Sequence, residues 1–230
     1  MREIWCELRD DDNIAAVIVT STGDAFFSAG LDMKELAADR AAGAKPAAQR
    51  HEEMDLLDWD PSSALLWKPI IAAINGYCVA GGFFLAQMCD VRIAADTARF
   101  GVSEVRWGHP ASFAWRLSRT LPLNIAMELV LWGDRLLDAK RMYDVGFLNA
   151  VVPPQDLMDE ALRWAEEVSA MSFAAVALHK RMLYESMFSD AAQMQLWAAT
   201  LLRSLHDGED AREGLAAFLE GRPPSWSNGK

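Results

Sequence analysis

Two short apolar runs, neither interrupted by charge, most constrain how this chain can fold. The first is IAAVIVT at Ile14–Thr20 and the second is IIAAI at Ile70–Ile74, and each is followed by a turn that contains Gly with Asp or Asn. A run without polar alternation is typical of a strand buried on both faces, as in a parallel sheet. We therefore predict buried strands at both places and a third strand at Val91–Ala94.

Helical patterns alternate with these strands and then dominate the chain. Asn124–Leu131 has a helical pattern, and Leu157–Met171 places apolar residues three and four apart on one face. Alternating strand and helix patterns predict an α/β fold. Almost everything from Gln155 onward is predicted to be helical. We therefore predict an α/β core at residues 1–154 and a helical region at residues 155–230.

Composition limits the class of protein. The chain has 230 residues, is 52% hydrophobic and carries a net charge of −11. It can therefore bury a real core, and it is a poor candidate for binding nucleic acid. No apolar stretch reaches the ~20 residues that span a bilayer, and no signal peptide opens the chain. The three cysteines lack metal-site spacing. We predict a cytoplasmic protein with no metal and no membrane or nucleic-acid partner.

The nearest candidate for a linker is Ala37–Ala48, which is rich in Ala and contains Gly and Pro. We predict a frayed helix there, followed by a loop. No internal repeat interrupts the rest of the sequence.

Two segments place glycine at the start of a predicted helix. In FFSAGLDMKE (26–35) a strand ends, the chain turns through Ala29-Gly30, and a helix is predicted to begin near Asp32. In the second segment, the small residues 80–82 open a helix over Phe83–Met88. Backbone N–H groups at such turns are free to bind a ligand oxygen. Each segment alone is also compatible with an ordinary junction between a strand and a helix.

The third segment, FGVSEVRWGHP (100–110), places Glu104 among apolar residues. A carboxyl group in such surroundings has a raised pKa and can serve as an acid or a base. The alternative is a structural glutamate paired with Arg106 or Arg99. The segment alone leaves both interpretations open.

Together the three segments resemble the signature blocks of the enoyl-CoA hydratase/isomerase (crotonase) superfamily. The matching strings are SAGLDMKEL, AAINGYCVAGGFFLAQMCDVRIAAD and FGVSEVRWG, in the family order, and the similarity continues to EGLAAFLEGRPPSW near the C-terminus. The resemblance implies a crotonase-like ββα superhelix with a helical C-terminal trimerisation region. It also implies a homotrimer or homohexamer that acts on an acyl-CoA.

The resemblance assigns site residues by position. It implies that the backbone amides of Leu31 and Gly81 form an oxyanion hole and that Glu104 is catalytic. Ala29 and Met33 fall in the segment that lies along coenzyme A. Phe218 matches an aromatic that packs near the coenzyme A of a neighbouring subunit. Coenzyme A enters as part of the thioester substrate, and the family needs no permanently bound cofactor.

Two positions depart from the family pattern. The second catalytic glutamate of classical hydratases falls on Phe84, which cannot transfer a proton. The loop at residues 109–115 is bulkier than in the family, and His109 is a candidate polar residue of the acyl pocket. These departures predict enolate chemistry with one glutamate, as in enoyl-CoA isomerases or single-glutamate hydratases and hydratase-lyases. The alternative is a catalytically silent paralogue that acts as a CoA-binding or assembly scaffold.

The start of the chain is a further departure. Family members open with two strands and a CoA-binding loop, whereas this chain begins at Met1–Leu8 with what matches the following helix. We therefore expect the N-terminal strands of the family to be missing here and one edge of the sheet to lie open.

Overall fold

The computed structural model describes residues 1–43, 59–206 and 208–227. Its strands form two sheets of four, in the orders β1-β3-β5-β8 and β2-β4-β6-β7. The strands are β1 (Val17–Val19), β2 (Phe26–Ser28), β3 (Ile70–Ile74), β4 (Tyr77–Val79), β5 (Val91–Ala95), β6 (Arg99–Gly101), β7 (Leu137–Asp138) and β8 (Ala150–Val152). All pairings are parallel except that of β6 with β7. The predicted α/β class with a parallel sheet is confirmed.

Helices cover the sheets and make up most of the last third of the chain. They are α1 (Arg2–Asp10), α2 (Met33–Ala41), α3 (Gly81–Met88), α4 (Leu117–Thr120), α5 (Leu123–Leu131), α6 (Ala139–Asp144), α7 (Leu157–Ser169), α8 (Phe173–Ser186), α9 (Ala191–His206) and α10 (Glu209–Glu220). Short 3₁₀ helices lie between them, including Glu104–Trp107 and Ala114–Arg116. In the described ranges, no helix is both long enough and apolar enough to cross a bilayer.

Strand β3 is the centre of the first sheet and confirms the prediction of a strand buried on both faces. Ile70, Ala72 and Ile74 pack into the main core, whereas Ile71 and Ala73 pack on the opposite face. Helix α7 covers that second face and contacts β1, β3 and β5. The first helix of the predicted C-terminal region therefore completes the burial of the sheet. The division at residues 154 and 155 stays a prediction.

Strand β1 is shorter and less buried than predicted. The expected strand at Ile14–Thr20 is reduced to Val17–Val19, of which Val17 is buried while Ile18 and Val19 are half-buried. The physical reason is its position, because β1 pairs with β3 and lies at the edge of the sheet within the described residues. A strand with a neighbour on one side only leaves its other backbone edge unpaired, and less of its surface is covered than in a central strand.

The predicted Ala-rich linker is described only in part. Helix α2 ends at Ala41, so its helical half is confirmed. Residues 44–48 of that stretch lie outside the described residues.

A half-buried polar cluster attaches helix α8 to the core. The Asp90 carboxylate lies 2.8 Å from Lys180 Nζ, accepts a hydrogen bond of 2.9 Å from the Tyr184 hydroxyl, and accepts one of 2.7 Å from the Ile70 backbone N–H. Burial and the nearby Asp90 charge raise the pKa of Tyr184 well above its usual value, so the hydroxyl stays a donor. One carboxylate therefore joins the start of β3 to a C-terminal helix.

We expect Asp90→Asn to destabilise the fold by about 1.5–3 kcal/mol, because the half-buried Lys180 ammonium would lose its anion and keep, among the described residues, only the Lys68 carbonyl as an acceptor. Asp144→Asn is the matched control, since it breaks the exposed 2.6 Å pair with Lys140 on α6 and should change stability by about 0.3–0.5 kcal/mol. Urea unfolding of both variants measures the difference. Equal losses would show that the Asp90 cluster does not hold α8 to the core.

Candidate active site

The three segments singled out in the sequence leave the second sheet at the same edge. Strand β4 lies between β2 and β6, with Ser28 opposite Cys78 and Val79 opposite Gly101. All three strands are parallel, so their carboxyl ends meet at one edge. The residues that follow them, 29–33, 80–82 and 102–104, therefore converge although they are far apart in the chain.

The first two turns are in direct backbone contact. Gly30 has φ of +80°, and a Cβ on it would lie 2.8 Å from the Gly81 backbone nitrogen. A Cβ on Gly82 would lie 2.1 Å from the Ser28 carbonyl oxygen. No side chain larger than hydrogen fits at either position without a shift of the backbone. Leu31, which follows Gly30, is thereby held next to Gly81.

The Gly81 amide is the first N–H of helix α3. Such an amide has no acceptor within its helix, and the helix dipole adds partial positive charge there. Within the described part of the chain, no backbone acceptor is recorded for the N–H of Gly81 or of Leu31. The two neighbouring turns therefore present two free donors, which is the arrangement an oxyanion hole needs.

Ala80 holds this turn in a strained conformation that sequence reasoning missed. Its φ of 52° and ψ of −127° are uncommon for a residue with a Cβ and typically cost about 1–3 kcal/mol. The Ala80 N–H donates to the Gly101 carbonyl at 3.1 Å, and its own carbonyl accepts from the Phe84 N–H at 3.1 Å. These bonds join the Gly81 turn to strand β6, which leads to Glu104. The only signal in the sequence was the small residue before Gly81-Gly82.

The Leu31 turn is exposed at the surface of the chain. Asp32 accepts hydrogen bonds from the backbone N–H groups of Lys34 at 2.8 Å and Glu35 at 3.3 Å, which confirms the predicted helix start. The side chains of Leu31 and Met33 are 51% and 44% exposed, and Ala29 is exposed as well. A long ligand can therefore approach this turn from solvent.

Glu104 begins the 3₁₀ helix Glu104–Trp107 and is half-buried. Its Oε2 atom is enclosed and has no hydrogen-bond partner among the described residues. Arg106 pairs instead with Asp134 at 2.5 Å, and Arg99 donates to backbone carbonyls. Neither arginine therefore supplies the structural ion pair that the sequence left open.

Burial raises the pKa of the Glu104 carboxyl, and backbone N–H groups of Glu104 and Ser103 partly offset this effect. A raised pKa makes a carboxylate a stronger base and keeps the acid form available closer to neutral pH. This combination suits a group that both accepts and returns a proton.

Phe84 lies on the first turn of α3, close to the Gly81 amide. Its ring is 4% exposed and stacks on Phe113, with centroids 5.2 Å apart and planes inclined by 22°. Helical side chains lean toward the N-terminus of their helix, which directs this ring toward the turn that contains Gly81. The bulk of residues 109–115 was visible in the sequence, but the stack of Phe113 on Phe84 was not, because no local pattern reveals a contact between distant segments.

The other two predicted residues lie on the surface. His109 is exposed, and its backbone N–H donates to the Glu104 carbonyl oxygen at 3.2 Å. Phe218 lies on α10, which packs against α9, and 82% of its surface is exposed. Both assignments to substrate binding stay predictions.

Comparison with known proteins identifies the family to which this architecture belongs. The model of the enoyl-CoA hydratase/isomerase family matches residues 1–229. The chain belongs to that family. Its members are enzymes that act on CoA thioesters without a permanently bound cofactor, so the predicted enzymatic class is confirmed.

Two curated relatives and one solved structure illustrate the similarity. A probable enoyl-CoA hydratase of Mycobacterium tuberculosis is 38% identical over 224 residues, which are 96% of this chain and 84% of the relative. The (E)-benzylidenesuccinyl-CoA hydratase of Thauera aromatica is 33% identical over 230 residues, 98% and 86% of the two chains. The crystal structure of an enoyl-CoA hydratase from Polaromonas sp. JS666 superposes with a TM-score of 0.88 at 31% identity, covering 98% of this chain and 87% of the other. The crotonase fold is thereby confirmed.

The raised pKa of Glu104 predicts how stability varies with pH. An acid whose pKa is higher in the folded state than in the unfolded state binds its proton more tightly when the protein is folded. The fold therefore loses stability as pH rises from the unfolded-state pKa of ~4.3 through the folded-state pKa. Glutamine cannot ionise. The stability of Glu104→Gln relative to the unaltered enzyme should therefore increase across this window and level off above it.

Chemical unfolding at a series of pH values measures this trend. Glu166→Gln is the control, because Glu166 is an exposed glutamate on α7, and a surface substitution of this kind should change stability by no more than about 0.5 kcal/mol. If the difference in unfolding free energy between Glu104→Gln and the unaltered enzyme does not change with pH, burial does not raise the pKa of this carboxyl.

Proposed function

We propose that this enzyme transfers a proton next to the thioester carbonyl of an enoyl-CoA, with Glu104 as its single acid–base group. The amides of Leu31 and Gly81 hold the oxygen of the enolate. The observation that carries the proposal is a half-buried carboxylate with an unpartnered oxygen at the strand edge where two adjacent turns present free N–H groups.

The proposed mechanism separates charge stabilisation from proton transfer. When a base removes a proton from C2, negative charge moves to the thioester oxygen. Two donors aimed at that oxygen stabilise it, and one such donor is typically worth about 2.7–4 kcal/mol of the barrier. Glu104, with its raised pKa, receives the proton and can return it at C4. The product is a thioester with a shifted double bond.

Phe84 favours this isomerisation over classical hydration. Hydration with two carboxylates needs a second proton-transfer group beside the attacking water. The position that would hold that group is occupied by a buried ring stacked on Phe113. Apolar rings on this side disfavour an ordered water, whereas transfer from C2 to C4 needs none.

Hydration by one glutamate is the second candidate, and the names of the relatives favour it. The curated relatives include hydratases and a dehydratase. In this case Glu104 would deprotonate a water that attacks C3, and the enolate would then take a proton at C2. The same oxyanion hole serves both reactions, so product analysis must separate them.

The scaffold alternative does not explain why the site keeps features that reduce the stability of the fold. One oxygen of the partly desolvated Glu104 carboxylate is enclosed without a hydrogen-bond partner among the described residues, and Ala80 is strained. Strain and unpaired buried charge reduce stability and persist where function requires them. A protein that only bound CoA would need neither of these features.

Glu104→Gln should lower turnover about 10²–10⁴-fold, because loss of a general base is typically worth that much, while the fold and acyl-CoA affinity are kept. In the assay, the enzyme is incubated with 2-enoyl-CoA or 3-enoyl-CoA thioesters in deuterated water, and the products are analysed by mass spectrometry. Isomerisation shifts the double bond without adding water, whereas hydration adds one water.

Glu166→Gln serves again as the control and should retain full activity. If Glu104→Gln turns over the best substrate at the unaltered rate, Glu104 is not the acid–base group. Absence of turnover by the unaltered enzyme across both substrate classes, with acyl-CoA binding intact, would support the scaffold alternative.

We further propose that the enzyme is a homotrimer or a pair of trimers, with Phe218 packing near the coenzyme A of a neighbouring subunit. The exposed apolar face of α10 supports this, since Leu215, Phe218 and Leu219 are 62%, 82% and 75% exposed. Burying large apolar side chains against another subunit releases about 1.5–3 kcal/mol each.

The double substitution Phe218→Ser and Leu219→Ser should shift the molar mass measured by light scattering toward that of one chain. Ala211→Ser, also exposed on α10, should leave the mass unchanged. A single-chain mass for the unaltered protein at micromolar concentration would contradict the proposed trimer.

A further inference from the structure

The stack of Phe84 on Phe113 joins two segments that run side by side. Phe84 is on α3, and Phe113 directly precedes the 3₁₀ helix Ala114–Arg116. Each ring is 4% exposed. Rings packed at interior density cannot make room for a ligand without displacing their neighbours. The stack is therefore a rigid feature of the core beside the oxyanion hole.

A cavity lies one turn further along both segments. Gln87 is three residues after Phe84, Arg116 is three residues after Phe113, and both line a cavity of about 400 Å³. Thr120, which also lines it, accepts a hydrogen bond of 3.4 Å from the Gln87 amide. Three residues of helix advance about 4.5 Å. The stacked rings thus stand between the Gly81 end of α3 and this cavity.

A buried ion pair holds the Phe113 segment in place. Arg116 Nη2 lies 2.6 Å from Asp60 Oδ2, and the two side chains are 13% and 7% exposed. Asp60 also accepts a hydrogen bond from the Ser62 N–H at 2.9 Å. The segment that carries Phe113 therefore cannot swing away without breaking a buried pair, which is strongly unfavourable.

We propose that Phe84 and Phe113 form the end wall of the acyl pocket, so that the enzyme selects thioesters of short acyl groups. The proposal rests on the proposed function, because the amides of Leu31 and Gly81 fix the thioester carbonyl and thereby direct the acyl group toward these rings. Beyond the wall, the cavity is lined by polar side chains such as Gln87 and Arg116 and by apolar ones, among them Val176, Leu183 and Met187. Removal of one ring should connect the pocket to this cavity, where the apolar side chains can contact a longer acyl chain.

Binding of saturated acyl-CoAs tests the wall without relying on catalysis. The probes are butyryl-CoA and decanoyl-CoA, which share all atoms except six methylene groups and cannot react. The unaltered enzyme should gain no affinity from the longer chain. In Phe113→Ala, each methylene that enters the opened cavity should add about fourfold in affinity, so decanoyl-CoA should bind at least about tenfold tighter than butyryl-CoA.

Phe147 offers a matched control. It is 1% exposed and stacks on Phe83 at 4.8 Å and 18°, a geometry close to that of the proposed wall. Phe147→Ala should not change the preference for acyl length. If either alanine variant fails to fold, Phe113→Leu and Phe147→Leu can be compared in the same way, because leucine removes less buried volume than alanine does.

Two results would contradict the proposal that Phe84 and Phe113 form the end wall of the acyl pocket. One is unaltered enzyme that already binds decanoyl-CoA about tenfold tighter than butyryl-CoA. The other is an equal change of preference in the Phe113 and Phe147 variants. The acyl-length test measures binding and does not depend on turnover. A fully active Glu104→Gln variant would therefore contradict the acid–base role of Glu104 without affecting the conclusion about acyl length. A failed length test would likewise leave the role of Glu104 intact.

Discussion

The arrangement of the site depends on one backbone contact, between the turn at Gly30 and the turn at Gly81. The two turns follow parallel strands and approach so closely that a Cβ on Gly30 would lie 2.8 Å from the Gly81 nitrogen. This approach places the amides of Leu31 and Gly81 side by side. Because backbone atoms are held by the sheet, the donors are preorganised and need not be ordered when a substrate binds.

The site keeps features that reduce stability, and the proposed function gives each of them a chemical use. Glu104 is partly desolvated, which makes its carboxylate a better base, and Ala80 is strained where the Gly81 amide must point outward. In the proposed mechanism, the apolar stack of Phe84 on Phe113 occupies the place of a second carboxylate. The site would then have one proton-transfer group and less space for an acyl group.

The C-terminal helices contribute to the core and to the surface in different ways. Helix α7 completes the burial of β3, and α8 is attached through the pair of Lys180 with Asp90. Helix α10 instead exposes Phe218 and its apolar neighbours. Part of the last third thus stabilises this chain, and its outer part is suited to contact another subunit.

The sequence by itself determined the elements and the residue types of the site. The continuous apolar run Ile70–Ile74 identified β3, and the strand predicted at Val91–Ala94 corresponds to β5. Helical patterns identified α5 and α7, and Asp32 marked the start of α2. These features are local, because strand burial, helix faces and caps depend on neighbours in the chain. The sequence also identified the three segments that contain Leu31, Gly81 and Glu104.

Only the tertiary structure decided how these parts meet. Among the described residues, the sheet order leaves β1 at an edge, and it brings the ends of β2, β4 and β6 together. The unpartnered oxygen of Glu104 and the stack of Phe84 on Phe113 depend on which layers cover each residue. Such contacts join residues far apart in the chain, so no local pattern encodes them, and they arise only when the sheets and helices pack.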